Sequence, residues 1–193
     1  METNIKRLAI FIDGSNLYFK LRSLDLDNLT KFNYRAFLDW LARGRQIVFQ
    51  AYYVGVVKAK FSDVGAQKLR KGQQGLFWQL ARQGMNIKKG FLMQSAGKYH
   101  EKGVDVQIAV DLLVGAYENL YDAALVISSD TDLLPVIAKV KSLSRDVEYV
   151  GFGHQPSLAM QTGATLSKLI LKEELDSFVF NEKAEYSDAD KIA

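Results

Sequence analysis

The 193-residue sequence predicts an α/β domain of three layers around a mostly parallel central sheet. Three observations predict it. Short runs rich in Val, Ile and Phe recur along the chain, stretches of helical periodicity lie between them, and no repeat or low-complexity linker interrupts the alternation. KRLAIFID (6–13) reads as the first strand, and Ser15 or Asn16 is placed to cap the helix that follows. NYRAFLDWLAR (33–43) has helical spacing, and IVFQAYYV (47–54) is the second strand. A long helix over 64–83 leads to a strand at 86–93. The polar segment QSAGKYHEKGV (94–104) reads as a loop or a small hairpin over the sheet edge. Helix 104–119, strand 123–128, helix 132–143, strand 146–152 and a short helix near 156–163 complete the alternation. TLSKLILKEELDSFVF, after Gly163, fits a final strand with a short helix. The reading is therefore one domain over 1–180 and a flexible polar tail over 181–193.

Composition excludes several chemistries. With no cysteine there is no disulfide framework, no thiolate metal site and no thiol nucleophile, so a metal must sit on oxygen or on the two histidines. No uncharged apolar run approaches the roughly 18–20 residues that cross a bilayer, and the N-terminus returns to charge too soon for a secretory signal. A soluble, cytoplasmic protein is expected. Charge is distributed unevenly: residues 58–102 carry 10 basic and 2 acidic groups, residues 103–193 carry 7 and 15. A basic block beside an acidic one suits a polyanion gripped in one place that meets a metal in another. Lys58, Lys60, Lys68, Arg70, Lys71, Arg82, Lys88 and Lys89 supply the basic block, interleaved with Phe61, Phe77, Trp78 and Phe91. Phe77 and Trp78 share helical spacing with Leu69, Leu76 and Leu80 and read as core.

The candidate chemistry lies in aspartates at strand and helix ends. Side chains just past the C-terminal ends of parallel strands converge on one crevice. LAIFIDGSN (8–16) delivers Asp13 there, and Gly14 is read as permitting backbone angles that a bulkier residue resists. ALVISSDTDLLP (124–135) repeats the design with Asp130 and Asp132 at a helix start, where the positive end of the helix dipole favours carboxylates and Pro135 is tolerated. EKGVDVQIAVDLL (101–113) places Asp105 in a first turn. Asp111, six residues on, lies about 120° around the axis and either pairs with a buried donor or stands behind the others. Asp13, Asp105, Asp130 and Asp132 in one partly desolvated cleft repel one another unless protonated or bridged by a cation. Hard oxygen ligands point to Mg²⁺ or Mn²⁺. Such an ion activates water and steadies the leaving oxygen of a phosphodiester. Lys102 and Tyr99, with Ser15 and Asn16, are the expected substrate contacts.

FIDGSNL (11–17), KGVDVQIAVDL (102–112), LVISSDTDLLPVI (125–137) and GATLSKL (163–169) together resemble the NYN domain family, in particular its LabA-like branch. The resemblance implies a PIN-like, Rossmannoid fold and, through kinship with PIN nucleases, metal-dependent ribonuclease activity on RNA. It matches Asp13, Asp105, Asp130 and Asp132 to the family's metal-binding acids and Asn16 to its polar residue after the first acid. Ser129 stands where many relatives have Gly, which should slightly restrict that turn. Two other readings compete. One is a non-catalytic RNA-binding or regulatory module. The other is a haloacid-dehalogenase-like phosphatase, which wants a second Asp two residues after the nucleophile, where this chain has Ser15. The abundance of apolar residues also admits a homodimer.

Overall fold

A computed structural model describes residues 6–26, 28–56, 64–95 and 98–179, with the side chains of residues 64, 94, 95 and 98–100 outside that description. The tail expected over 181–193, and Lys58, Lys60 and Phe61, also lie outside the described residues.

The first strand, β1 (Arg7–Asp13), is buried from Leu8 onward, which is why its sequence is a continuous apolar run rather than an alternating one. Leu8, Ile10 and Ile12 pack on one face of the sheet and Ala9 and Phe11 on the other, as the two-residue period of a strand requires. β1 pairs in parallel with β2 (Gln46–Val56) on one side and β5 (Ala123–Ile127) on the other. Outward from β2 come β3 (Asn86–Ser95) and β4 (Lys98–Lys102), and outward from β5 come β6 (Asp146–Phe152) and β7 (Leu166–Ile170). The order is β4-β3-β2-β1-β5-β6-β7, parallel except for the β3–β4 pair. The segment read as a loop or small hairpin is thus an antiparallel hairpin at the sheet edge.

Helices cover both faces. α1 (Gly14–Arg22), α2 (Tyr34–Ala42) and α3 (Val64–Arg82) lie over the face of Ile10 and Ile12, contributing Leu17, Phe37 and Leu80 to that core. α4 (Val104–Tyr117), α5 (Leu134–Ser142) and α6 (Leu158–Gly163) lie over the face of Phe11 with Ile108, Ile137 and Met160. A short α7 (Lys172–Asp176) follows β7, and its Glu174 carboxylate accepts the Leu171 N–H. The helix expected over 132–143 is divided: a 3₁₀ turn at Thr131–Leu133 precedes α5, which takes Pro135 in its first turn, where a missing N–H costs nothing. Among the described residues no helix is long and apolar enough to cross a membrane.

Chain direction around β1 positions the site. The chain builds outward from β1 through β2 to β4, returns through α4, and resumes at β5 on the other side of β1. The strand order therefore reverses between β1 and β5, and the crevice at a reversal of this kind opens beyond the C-terminal strand ends. Asp13 and the segment Ser128–Asp130 are the residues delivered there.

Candidate active site

Asp13 caps α1 itself. Its Oδ1 accepts the Asn16 N–H at 3.0 Å and its Oδ2 accepts the Ser128 hydroxyl at 2.8 Å. Neither Ser15 nor Asn16 is the cap; Asn16 supplies the amide that is capped. Asp13 is only 6% exposed, and burial pushes its carboxyl up to about 6, reinforced by the charges of Asp105 and Glu101 and opposed by the two hydrogen bonds. Gly14 is required for space rather than for its backbone angles. A Cβ there would stand 2.2 Å from the Tyr52 ring and 2.7 Å from the Tyr53 carbonyl oxygen, and Gly14 is absent from the positive-φ residues. The Tyr52 hydroxyl closes the same corner by donating to the Gly14 carbonyl at 3.1 Å.

Ser128, fully buried at the end of β5, joins the two strand ends. It donates to Asp13 and accepts the Asp130 N–H at 3.1 Å. Asp130 caps the 3₁₀ turn, its Oδ1 accepting the Asp132 N–H at 2.8 Å, while Asp132 is exposed. Ser129 has an ordinary negative φ and its hydroxyl lies 3.3 Å from that of Tyr149, so this turn does not demand glycine.

Asp105 sits in the first turn of α4, entered from β4 through Gly103 at φ 82°. Its carboxyl is pushed up by partial burial and then by the charges of Asp130, Glu101 and Asp132. Four separate segments thus bring acids into mutual electrostatic reach. Glu101 belongs to this group as well, a residue that no motif in the sequence singles out. It lies opposite Leu92 in the β3–β4 pairing and accepts the Gly55 N–H at the end of β2. Alternation along β4 sends the adjacent Lys102, which is exposed, to the other face. Only knowledge of the hairpin register separates Glu101 from Lys102, and a bare sequence does not contain it. Tyr99 lies on β4 with its side chain outside the described residues. Asp111 faces the sheet instead, accepting the Tyr53 hydroxyl at 2.8 Å and pairing with the Lys88 ammonium at 3.3 Å.

Among the described residues no group of three or more Asp, Glu or His stands close enough to hold a metal ion. The donor set is nonetheless all oxygen, and Asp13 and Asp105 each carry a carboxyl raised in part by neighbouring acids. A divalent cation would relieve that repulsion, and one that takes one or two carboxylates with water and substrate oxygen, rather than an all-protein cage, would suit these acids in charge and ligand type. A cleft of about 490 Å³ lined by Arg35, Asp39, Gln46, Gln50 and Asn86 opens where β2 and β3 begin, at the opposite end of the strands from the acids.

The NYN domain model matches residues 7–176, from the first residue of β1 to the last of α7. The chain belongs to the NYN domain family. A crystal structure of a protein of unknown function from Vibrio parahaemolyticus shares the NYN chain's fold with a TM-score of 0.62 and 18% identity over 93% of this chain and all of that one. No curated protein matches. NYN domains are PIN-like, a nuclease fold class, and the seven-stranded, mostly parallel sheet with helices on both faces agrees with that class. In this NYN chain the crevice acids come from the ends of β1 and β5, from β4 and from the start of α4.

Proposed function

We propose that this NYN protein is a Mg²⁺- or Mn²⁺-dependent ribonuclease of the LabA-like branch that hydrolyses RNA phosphodiesters at the crevice between β1 and β5. The observation that supports the reading is the joining of the Asp13 and Asp130 strand ends through the Ser128 hydroxyl, with Asp105 and Glu101 near enough for neighbouring acids to raise the Asp13 and Asp105 carboxyls. Asp105, Asp130 and Asp132 are the residues offered as ligands for the ion, with Asp13 at the floor. When bound, the ion would supply charge neutralisation and an activated water at the phosphate. The chain's own residues do the rest. Ser128 and the Asn16 amide fix Asp13 so that its charge points at one place, and the Asp130 cap holds the 3₁₀ turn that presents Asp132. Ser15, Asn16 and Tyr99 are offered as RNA contacts, and Lys102 as a phosphate contact at the rim.

A second reading, an RNA-binding module without turnover, is favoured by one specific observation: both oxygens of Asp13 already accept protein hydrogen bonds. The same observation weighs against Asp13 as a phosphatase nucleophile. Incubation of the full chain with mixed RNAs and Mn²⁺ separates the readings. Cleavage that EDTA stops and that Asp105→Asn and Asp130→Asn each reduce at least about a hundredfold is expected. Salt-sensitive RNA binding with no metal-dependent cleavage would transfer the assignment to the second reading.

A further inference from the structure

We propose that the outer face of the β3–β4 edge is a base-stacking strip that selects single-stranded over duplex RNA and leads the strand toward the acids, an inference that rests on the ribonuclease reading. α3 covers only the inner part of this edge. Ile87 packs partly against its core, and the Lys89 ammonium lies 5.3 Å from the Phe77 ring centroid. Beyond them Phe91 and Met93 are 45% and 53% exposed. Alternation places Lys89, Phe91 and Met93 on one face, and the pairing of Phe91 with Lys102 sets an exposed lysine beside the ring.

Charge chooses the occupant. Between Val64 and Lys102 the chain has eight Lys or Arg residues and one acid, Glu101, and Glu101 is turned to the opposite face against the Gly55 N–H. Lys89 and Lys102 share the face of the exposed Phe91 ring, and among the described residues of β3 and β4 no carboxylate does, which matches a polyanion whose own rings are free to stack. Single-stranded RNA offers such rings, whereas a duplex hides them. Location ties the strip to the crevice. Phe91 Cε1 lies 3.7 Å from where a Cβ on Gly103 would be, and Asp105 follows two residues later. A strand stacked on Phe91 therefore ends at the sheet edge where the chain crosses through Gly103 into α4, and it passes round that edge to meet Asp105 on the other face.

Fluorescence anisotropy of the full chain in EDTA, with a labelled 12-nucleotide oligouridylate and a 12-base-pair RNA duplex, tests this without cleavage. The expected result is tighter binding of the oligouridylate. Phe91→Ala should weaken it roughly tenfold with an unchanged salt slope, while Phe91→Trp retains it. Lys89→Ala should make the slope shallower by about 0.7. Thermal melts of each variant, matching the parent, tie these changes to the surface rather than to folding. The strip is overturned if Phe91→Ala binds like the parent, if the duplex binds as tightly, or if the oligouridylate does not bind. It is equally overturned if Phe91→Ala turns a dimer into a monomer and leaves RNA binding intact, since the face would then serve self-association. Absence of cleavage alongside Phe91-dependent binding would instead remove the ribonuclease reading and the delivery to the acids, leaving the strip in place.

Discussion

The two strand ends beside the crevice deliver the same residue type into different surroundings. At the end of β1, Asp13 is buried, both its oxygens accept hydrogen bonds, and the glycine after it is pressed against Tyr52 and the Tyr53 carbonyl. At the end of β5, Asp130 caps a single 3₁₀ turn, and Thr131 and Asp132 are exposed. A carboxylate can thus be held in place by packing or left free on a short cap, and the consequences for stability differ. At the first end function and folding draw on the same atoms. At the second they are separable, because little of the fold depends on Asp132.

The largest effect that breaks this contrast is expected at Gly14. Alanine there meets a ring carbon at 2.2 Å and a backbone oxygen at 2.7 Å, and the oxygen cannot swing aside as a side chain can. Gly14→Ala should cost about 3 kcal/mol or more, read as a Tm lower by roughly 10 °C, whereas Thr131→Ala, the equivalent position after Asp130, should change Tm by a degree or so. Equal melting of the two variants would remove the distinction between a packed and an open strand end.

The pH dependence of stability comes next. Asp13 titrates near 6 in the folded chain and near 3.9 when unfolded, so between about pH 4 and pH 6 the folded state keeps a proton that the unfolded state has released. Stability therefore falls as pH rises through that window and is level with respect to this group above it, by about 3 kcal/mol in all. Asp105, raised in the same direction, adds to the fall. Asp122, held down to about 2 mainly by hydrogen bonds from Arg7, acts with opposite sign and only below about pH 4. Asp13→Asn keeps the cap and a partner for Ser128 but carries no charge. Urea titrations in EDTA at pH 4.5 and 7.5 should show a much smaller pH difference in this variant, and greater stability than the parent at pH 7.5. A parent curve that is flat, or that rises across this interval, contradicts the burial of an ionised Asp13.

Much of this architecture could be read before any coordinates, because continuous apolar runs such as LAIFI and ALVI are what strands buried on both faces require. Asp13, Asp105, Asp130 and Asp132 were legible as candidates for a related reason, each lying just past such a run or at a helix start. What escaped the reading depended on contacts distant in sequence. Glu101 and Lys102 are neighbours of opposite charge whose facing is set by pairing with Leu92 and Phe91. Gly14 looked like a residue needed for its backbone angles and is instead one needed for its missing Cβ, a fact located in Tyr52, 38 residues away. Trp78 and Leu69 followed the helical spacing of the core yet are each 56% exposed, with the Arg82 guanidinium 4.5 Å over the Trp78 ring. Periodicity names the apolar stripe of a helix but not how far the sheet beneath it extends. Asp111 is bound to Tyr53 and Lys88 on an adjacent part of the sheet, a pairing that helical geometry alone could only leave open.

The smallest stability effect sharpens the comparison most. Asp132 contributes its backbone N–H to the Asp130 cap and leaves its carboxylate exposed, so Asp132→Ala keeps the hydrogen bond and removes only a surface charge near other acids. Its unfolding free energy in EDTA should stay within about 0.5 kcal/mol of the parent. Mn²⁺, if held by these acids, stabilises the folded chain by mass action, and a concentration 100 times the dissociation constant raises stability by about 2.7 kcal/mol. Parent protein should therefore melt several degrees higher in Mn²⁺ than in EDTA, and Asp132→Ala should lose most of that increment while its melting in EDTA is unchanged. A variant that is weakened in EDTA would show Asp132 to be as structural as Asp13. One that retains the full Mn²⁺ increment would place the ion on the other acids, and the open strand end would lose its assigned role.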